Sequence, residues 1–145
     1  MKEPLKDVDT LKGKVAFLAA AIELPDLAFT DMKQLKAADI NASAISSKGF
    51  IMGKPLPLGE APDINELIPV LSLDGAEVNR GKGSDALGNQ WEAALWLVNT
   101  MVEHGWTLEK GDVLLTGALG NMLPGKPGSY VYDAGALGAI EFTVK

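Results

Sequence analysis

The sequence predicts an α+β domain built on an antiparallel or mixed β-sheet, with one main helix. Three observations support this prediction. Strand-like segments lie on both sides of a single long amphipathic segment. Helical and strand-like segments do not alternate as they do in βαβ units. Between Gly117 and Gly138 glycine and proline are dense, which is typical of short strands joined by loops. With 145 residues the chain is long enough for one domain with a real core.

The first half of the chain contains three predicted elements. Val15–Leu24 is an apolar run that ends at Pro25, and it predicts a buried strand. A short helix is predicted over Asp31–Ala38, with Thr30 as its N-cap. A polar, glycine-rich segment follows and predicts a loop around a short strand at Gly49–Met52.

The second half begins with a predicted β-hairpin whose strands are joined through Asp74-Gly75, a dipeptide that favours tight turns. The main helix is predicted in NQWEAALWLVNTMVEHG, with Asn89 and Glu92 as a capping box and Gly105 as its end. One face of this helix predicts core packing and carries Trp91, Leu95, Val98 and Val102. Three more short strands are predicted in GDVLLTG, SYVYDAG and GAIEFTV.

Composition excludes several classes of function. The net charge of −6 argues against nucleic acid and anionic membrane surfaces as partners. The absence of cysteine excludes disulfides and thiolate chemistry, and His104 is the only histidine, so a bound metal would need oxygen ligands. The N-terminal residues lack the apolar region of a signal peptide, and no apolar run could span a bilayer. We therefore expect a cytoplasmic protein.

Glu23 and Asp26 are the first candidate for chemistry, because a carboxylate follows an apolar run that should be buried. A buried carboxylate is costly unless a cation or several donors meet it. One interpretation is an oxygen ligand for a hard divalent cation at the end of the strand. The other is a strand end that simply enters solvent.

Three loops are further candidates. Thr116-Gly117 ends a predicted strand and could offer a hydroxyl and free backbone amides to a carboxylate or phosphate, although turn glycines are common there. Arg80 and Lys82 could bind an anion or form a solvated hairpin end. The segment NASAISSKG could line a pocket or be a surface loop, and its polar residues are Asn41, Ser43, Ser46, Ser47 and Lys48.

Five segments carry a resemblance when they are taken together and in order: AAIELPDL, INASAISSKGFIMG, GKGSDALGNQWEAALWLVN, GDVLLTGALGNMLPGKPG and GALGAIEF. They resemble the C-terminal half of 2-keto-4-pentenoate hydratases, which belong with 4-oxalocrotonate decarboxylases to the fumarylacetoacetate hydrolase superfamily. The resemblance implies a rolled, twisted mixed β-sheet with the main helix packed outside. It also implies that residues 1–14 are an extension and residues 15–145 the catalytic-type domain.

The resemblance implies a site and a reaction. Glu23 would be one carboxylate ligand of Mg²⁺ or Mn²⁺. The implied substrate-binding positions are Asn41, Ala42, Ser43, Thr116 and Gly117. The reaction would be hydration of 2-hydroxypenta-2,4-dienoate to 4-hydroxy-2-oxopentanoate in the catabolism of aromatic compounds, or decarboxylation of a related 2-oxo diacid. The partner would be a small 2-oxo acid.

In the family, a Glu-x-Glu motif supplies the other two metal carboxylates. This motif and the proton-transfer residues lie in an N-terminal half that has no counterpart in Met1–Lys14. We therefore expect a truncated paralogue, half of a split enzyme or a fragment, and either a homo-oligomer or a complementing N-terminal half as partner. The alternative function is a non-catalytic binding or assembly module that keeps the fold without the metal site.

Overall fold

The computed structural model describes residues 1–26, 34, 36, 38–39 and 47–145 of the chain. The α-helices that are described in full are α1 (Val8–Lys12) and α2 (Gln90–Glu103), and short 3₁₀ helices lie at Leu58–Glu60, Gly83–Asp85 and Gly135–Leu137. Its strands are β1 (Phe17–Leu18), β2 (Ala21–Pro25), β3 (Ser47–Met52), β4 (Leu56–Pro57), β5 (Val70–Leu73), β6 (Ala76–Arg80), β7 (Gly128–Asp133) and β8 (Ala139–Val144). The helix predicted over Asp31–Ala38 falls largely outside the described residues.

The largest sheet has four strands in the order β6-β5-β7-β8, and each neighbouring pair is antiparallel. Two smaller ribbons pair β1 with β4 and β2 with β3, again antiparallel. The prediction of an α+β domain with one main helix is confirmed. Every ladder in the described part of the chain is antiparallel, so the parallel pairs of a mixed sheet are not found there.

The single buried strand predicted over Val15–Leu24 is wrong in two respects. The chain leaves one ribbon after Leu18 and enters the other at Ala21, so the run forms two strands with different partners. Phe17 is 59% exposed, whereas Ala20 between the strands is buried. A two-stranded ribbon packs on one face only, and neighbouring side chains point to opposite faces, so only part of the run is buried.

The hairpin between β5 and β6 is confirmed. Asp74 and Gly75 both have positive φ angles, +49° and +82°, as the tight turn of a two-residue hairpin requires. The Asp74 carboxylate also accepts a hydrogen bond of 2.9 Å from the backbone N–H of Ser129 at the start of β7. The turn therefore closes the hairpin and ties it to the next strand of the sheet.

Helix α2 begins and ends where the sequence predicts. The Asn89 side chain accepts hydrogen bonds from the backbone N–H groups of Trp91 and Glu92, at 2.9 and 3.3 Å, so Asn89 is the N-cap. The capping box is only half formed, because the Asn89 N–H donates to the carbonyl of Ala86 and not to the Glu92 side chain. Gly105, with φ of +84°, follows the last turn and donates its N–H to the carbonyl of Val102. No helix in the described residues is both long enough and apolar enough to cross a membrane.

The core consists of two clusters of buried side chains. The first core cluster lies against the inner face of the four-stranded sheet and contains Ala20, Ile64, Ala134, Leu137 and Ile140. The second core cluster lies under α2 and contains Leu11, Val98 and Leu108. Trp91 packs against both clusters, which confirms the prediction that the helix stripe serves core packing.

The N-terminal residues are tied to α2 and to the segment after it. The Asn99 side chain accepts a hydrogen bond of 2.7 Å from the N–H of Leu5 and donates one of 2.9 Å to its carbonyl. Met1 exchanges backbone hydrogen bonds with Leu108 in the same way. We name the contact of Asn99 with Leu5 the Asn99 clamp. It holds the chain before α1 against the helix, so that Leu11 can enter the second core cluster.

The strand predicted in GDVLLTG is wrong, because residues 112–118 form no strand. Both sides of β5 are already paired, with β6 and β7, and β7 is paired with β5 and β8. The apolar run is used instead for packing, since Leu114 lies against the second core cluster. The two later strands predicted in SYVYDAG and GAIEFTV are confirmed as β7 and β8.

We predict that Trp91→Ala lowers the free energy of unfolding by about 3 kcal/mol, because it removes the side chain that both core clusters share. Trp96 on the same helix is 61% exposed and is the matched control; Trp96→Ala should cost less than about 0.5 kcal/mol. The measurement is urea denaturation followed by circular dichroism. Equal losses for the two variants would contradict this account of the core.

Candidate functional site

Glu23 lies in β2 on the face turned away from the core. Across the ribbon Glu23 is opposite Phe50, and Ile22 is opposite Ile51. Ile22 and Ile51 pack against the first core cluster, so Glu23 and Phe50 point to the other face, where both are exposed. The Glu23 carboxylate therefore reaches solvent without the desolvation cost of a buried charge.

Asp26, the proposed companion of Glu23, has a different neighbour. The ammonium group of Lys48 in β3 lies 3.3 Å from its carboxylate, and both side chains are exposed. Within the described ranges no three side chains of His, Cys, Asp or Glu lie close enough to form a metal site. A magnesium ion prefers six oxygen ligands, so these residues by themselves do not fit a resident metal. Asn41, Ala42, Ser43 and Ser46 lie outside the described residues.

The Thr116 loop is defined here as residues 112–127. It lies between the segment that follows α2 and the start of β7, and it contains no strand. Thr116 is half-buried, and Gly117 is exposed with φ of +121°. On the far side of this turn, Asn121 is bonded to the Asn79 side chain of β6. The structure thus brings together two stretches that the sequence offered as separate candidates, the Thr116 loop and the end of the hairpin.

Arg80 is ion-paired in this arrangement. Its guanidinium donates two hydrogen bonds to the Glu77 carboxylate, at 2.9 and 2.6 Å. These hydrogen bonds lower the pKa of Glu77 and raise the pKa of Arg80. The backbone N–H of Lys82 is bonded to Asp85. The solvated hairpin end is therefore the better interpretation of the basic stretch, because an incoming anion would compete with Glu77 for Arg80.

Asn79 is the residue that sequence reasoning missed. Its neighbours Arg80 and Lys82 drew attention by their charge, whereas a neutral amide at the end of a strand did not. A partial indication was present, since asparagine is depleted in strands and its presence there suggests a side chain with a specific partner. The partner is 42 residues away in sequence, and nothing local could identify it.

A concave region of about 460 Å³ lies between α1, the segment after β4 and the first turn of α2. Lys12 and Trp91 line it, with the ammonium 5.1 Å from the centre of the indole ring. Asp63 and Glu92 also line the region and supply negative charge. No site residue predicted from the sequence lies among its described lining residues, and its mixed charge favours no single ligand class.

Sequence comparison relates the chain to enzymes about twice its length. It is 37% identical over 134 residues to the 2-keto-4-pentenoate hydratase of Burkholderia vietnamiensis. This alignment covers 92% of the present chain and 51% of that enzyme. It is 28% identical over 130 residues to the 2-hydroxyhexa-2,4-dienoate hydratase of Comamonas testosteroni, covering 88% of this chain and 49% of that enzyme. The chain thus spans about half the length of these relatives. No protein-family model matches it.

Comparison with solved structures gives the fold. The 4-oxalocrotonate decarboxylase from Pseudomonas putida G7, complexed with magnesium and adipate, superposes with a TM-score of 0.83 at 23% sequence identity. The match covers 97% of this chain and 55% of the decarboxylase, in its C-terminal half. The described arrangement of antiparallel ribbons, four-stranded sheet and main helix is therefore the fold of that half.

We predict that the chain alone binds Mg²⁺ weakly, with a dissociation constant above about 1 mM, because one exposed carboxylate is a thin ligand set for this cation. Isothermal titration calorimetry checks the affinity. Glu23→Gln should change the weak binding little. Tight binding that Glu23→Gln removes would show that this chain supplies further ligands.

Proposed function

Because the chain is homologous to about half of each 2-keto-4-pentenoate hydratase that it matches, we propose that it is the C-terminal catalytic-type domain of such a hydratase. Family resemblance classes the chain with the lyases. The observation that carries the proposal is the 37% identity over 134 residues. The C-terminal domain would comprise residues 15–145, and its sheet would roll around the site. We expect the enzyme to act in the cytoplasm on small acids from aromatic catabolism.

The proposed reaction is the hydration of 2-hydroxypenta-2,4-dienoate to 4-hydroxy-2-oxopentanoate. The enol gives up its proton as C5 of the diene is protonated, which leaves an unsaturated ketone. Water then adds its oxygen to C4, and C3 takes up a proton, so that one water is gained overall. Decarboxylation of a related 2-oxo diacid is the neighbouring chemistry, and the superposed structure is a decarboxylase.

Thr116 and Gly117 are the described residues that we propose to bind the substrate carboxylate. A hydroxyl and backbone N–H groups at a glycine turn are donors that suit a carboxylate. No described atom lies within 4 Å of a Cβ built on Gly117, so the turn is open on that side. Asn41, Ala42 and Ser43 are proposed to complete the pocket, from the resemblance alone.

A divalent cation is part of the proposal, although the described residues do not form its site. The superposed decarboxylase was crystallised with magnesium, and in a second structure with calcium and acetate. We propose that Glu23 supplies one ligand to Mg²⁺ or Mn²⁺. Two carboxylates of a Glu-x-Glu motif in the family's N-terminal half would supply the others. An exposed Glu23 on the outer face of β2 is compatible with ligands that arrive from another domain.

The proposed partner is an N-terminal half of the family type, in the same assembly as the catalytic-type domain. Phe50 and Met52 lie on the face of the β2–β3 ribbon that bears Glu23, and each is 46% exposed. Apolar side chains at this exposure beside a candidate ligand suit a surface that another domain covers. A homo-oligomer of the assembly is the second proposed association.

We predict that the chain alone does not hydrate 2-hydroxypenta-2,4-dienoate, and that co-expression with an N-terminal half carrying Glu-x-Glu gives turnover. The assay is the loss of the dienol's ultraviolet absorbance in the presence of Mg²⁺ or Mn²⁺. Glu23→Ala should abolish the restored activity, because the cation would lose a ligand.

The matched control for this test is Glu141→Ala, which removes an exposed carboxylate from β8 in the four-stranded sheet. It should leave turnover unchanged. Robust turnover by the chain alone would overturn the need for outside ligands. No turnover with the complementing half would favour the non-catalytic module.

A further inference from the structure

Asn79 joins the hairpin to the Thr116 loop through both ends of its amide. Its Nδ2 donates a hydrogen bond of 2.7 Å to the carbonyl of Asn121, and its Oδ1 accepts one of 3.2 Å from the N–H of the same residue. Oδ1 also accepts from the N–H of Arg80, at 3.0 Å. We name this contact the Asn79 clamp. It gives Asn121 the two hydrogen bonds that a neighbouring strand would otherwise supply.

Two glycines allow the backbones to approach at the clamp. A Cβ at Gly81 would lie 2.5 Å from the carbonyl carbon of Leu119, and a Cβ at Gly120 would lie 2.7 Å from the carbonyl oxygen of Arg80. Both distances are shorter than real Cβ contacts, and Gly120 also has φ of +85°. The two segments therefore cross in one defined position, which larger side chains would prevent.

The Thr116 loop has further anchors on both sides of the clamp. Before it, Leu114 packs against the second core cluster. After it, the hydroxyl of Tyr130 accepts a hydrogen bond from the N–H of Lys126 and donates one to its carbonyl, each 3.0 Å long. The turn at Thr116 and Gly117 is the short arch between Leu114 and Asn121. The Asn79 clamp fixes the C-terminal end of this arch.

We propose that Asn79 is a positioning residue for the carboxylate-binding turn at Thr116 and Gly117, an inference that rests on the proposed function. Asn79 does not touch the ligand. It fixes the position of Leu119–Asn121 at the C-terminal end of the arch. The position of this end sets the direction of the donors at Thr116 and Gly117. Donors that are fixed before a ligand arrives bind it more tightly than donors that must first be ordered.

The test uses pyruvate, the simplest 2-oxo acid, titrated into the ¹⁵N-labelled chain and followed by NMR. We expect pyruvate to shift the amide signals of Thr116 and Gly117. Asn79→Ala should weaken pyruvate binding about ten-fold, because the arch loses two hydrogen bonds at one end. Asn79→Asp keeps the acceptor and loses the donor, so it should rescue part of the affinity and give an intermediate value.

Asn99→Ala is the matched control, because the Asn99 clamp uses the same pair of hydrogen bonds to hold Leu5. It should lower the melting temperature about as much as Asn79→Ala does and leave pyruvate affinity unchanged. A merely structural role for Asn79 would give the two alanine variants the same affinity.

Two results would overturn the positioning role. One is unchanged affinity in both Asn79 variants, and the other is the absence of any shift at Thr116 and Gly117 in the unmutated chain. If Asn79→Ala does not fold, the test rests on Asn79→Asp: weaker pyruvate binding supports the positioning role, and unchanged binding contradicts it. If the chain binds pyruvate at Thr116 and Gly117 but gives no hydration together with the complementing N-terminal half, the proposed function fails and the positioning role stands.

Discussion

The two core clusters meet at one indole, that of Trp91 in the first turn of α2. Its position is set locally, because the Asn89 side chain accepts the Trp91 backbone N–H and fixes where the helix begins. Gln90 secures the same turn by donating to the carbonyl of Ile64. The ammonium group of Lys12 in α1 lies over the ring. A single cap thus orients the residue through which the sheet side and the helix side of the molecule are joined.

Neither part of the candidate site belongs to the four-stranded sheet. Glu23 lies on a two-stranded ribbon, and Thr116 lies on a loop attached by side chains to the sheet's strands. A sheet ladder repeats one geometry, whereas a loop held by Asn79 and Tyr130 can place hydroxyl and N–H groups where a strand could not. The cost is that the loop's shape depends on a few hydrogen bonds rather than on a continuous ladder.

Short-range rules account for much of the fold. The Asp74-Gly75 turn, the Asn89 cap and the Gly105 end are local, and all three are found as predicted. The errors arise where an apolar run can either pair as a strand or pack against the core without pairing. Leu114 in the Thr116 loop packs against a core cluster instead of belonging to a strand, and Val15–Leu24 is divided between two ribbons. Periodicity cannot separate these outcomes, because the choice depends on how the run packs against distant parts of the chain.

The site was less predictable than the fold. Glu23 was found as a candidate because its charge follows an apolar run. It is exposed because it lies on the outer face in the middle of β2, and not because the strand ends there. The engagement of Asp26 by Lys48 depends on ribbon register, and Asn79 depends on a partner far along the chain. The metal and substrate roles stay predictions, since the ligands and Asn41–Ser43 lie outside what the structure describes.

The Asn99 clamp has a consequence for synthesis on the ribosome. It joins residues 94 positions apart, and Leu11 is buried in one cluster with Val98 and Leu108. Helix α1 has five residues, too few to persist as an isolated helix in water. The segment around α1 can therefore form these contacts only after Asn99 and Leu108 have been translated, and until then it is unfolded. During that interval its apolar side chains are open to chaperones and proteases, so the speed of translation bears directly on the yield of folded protein.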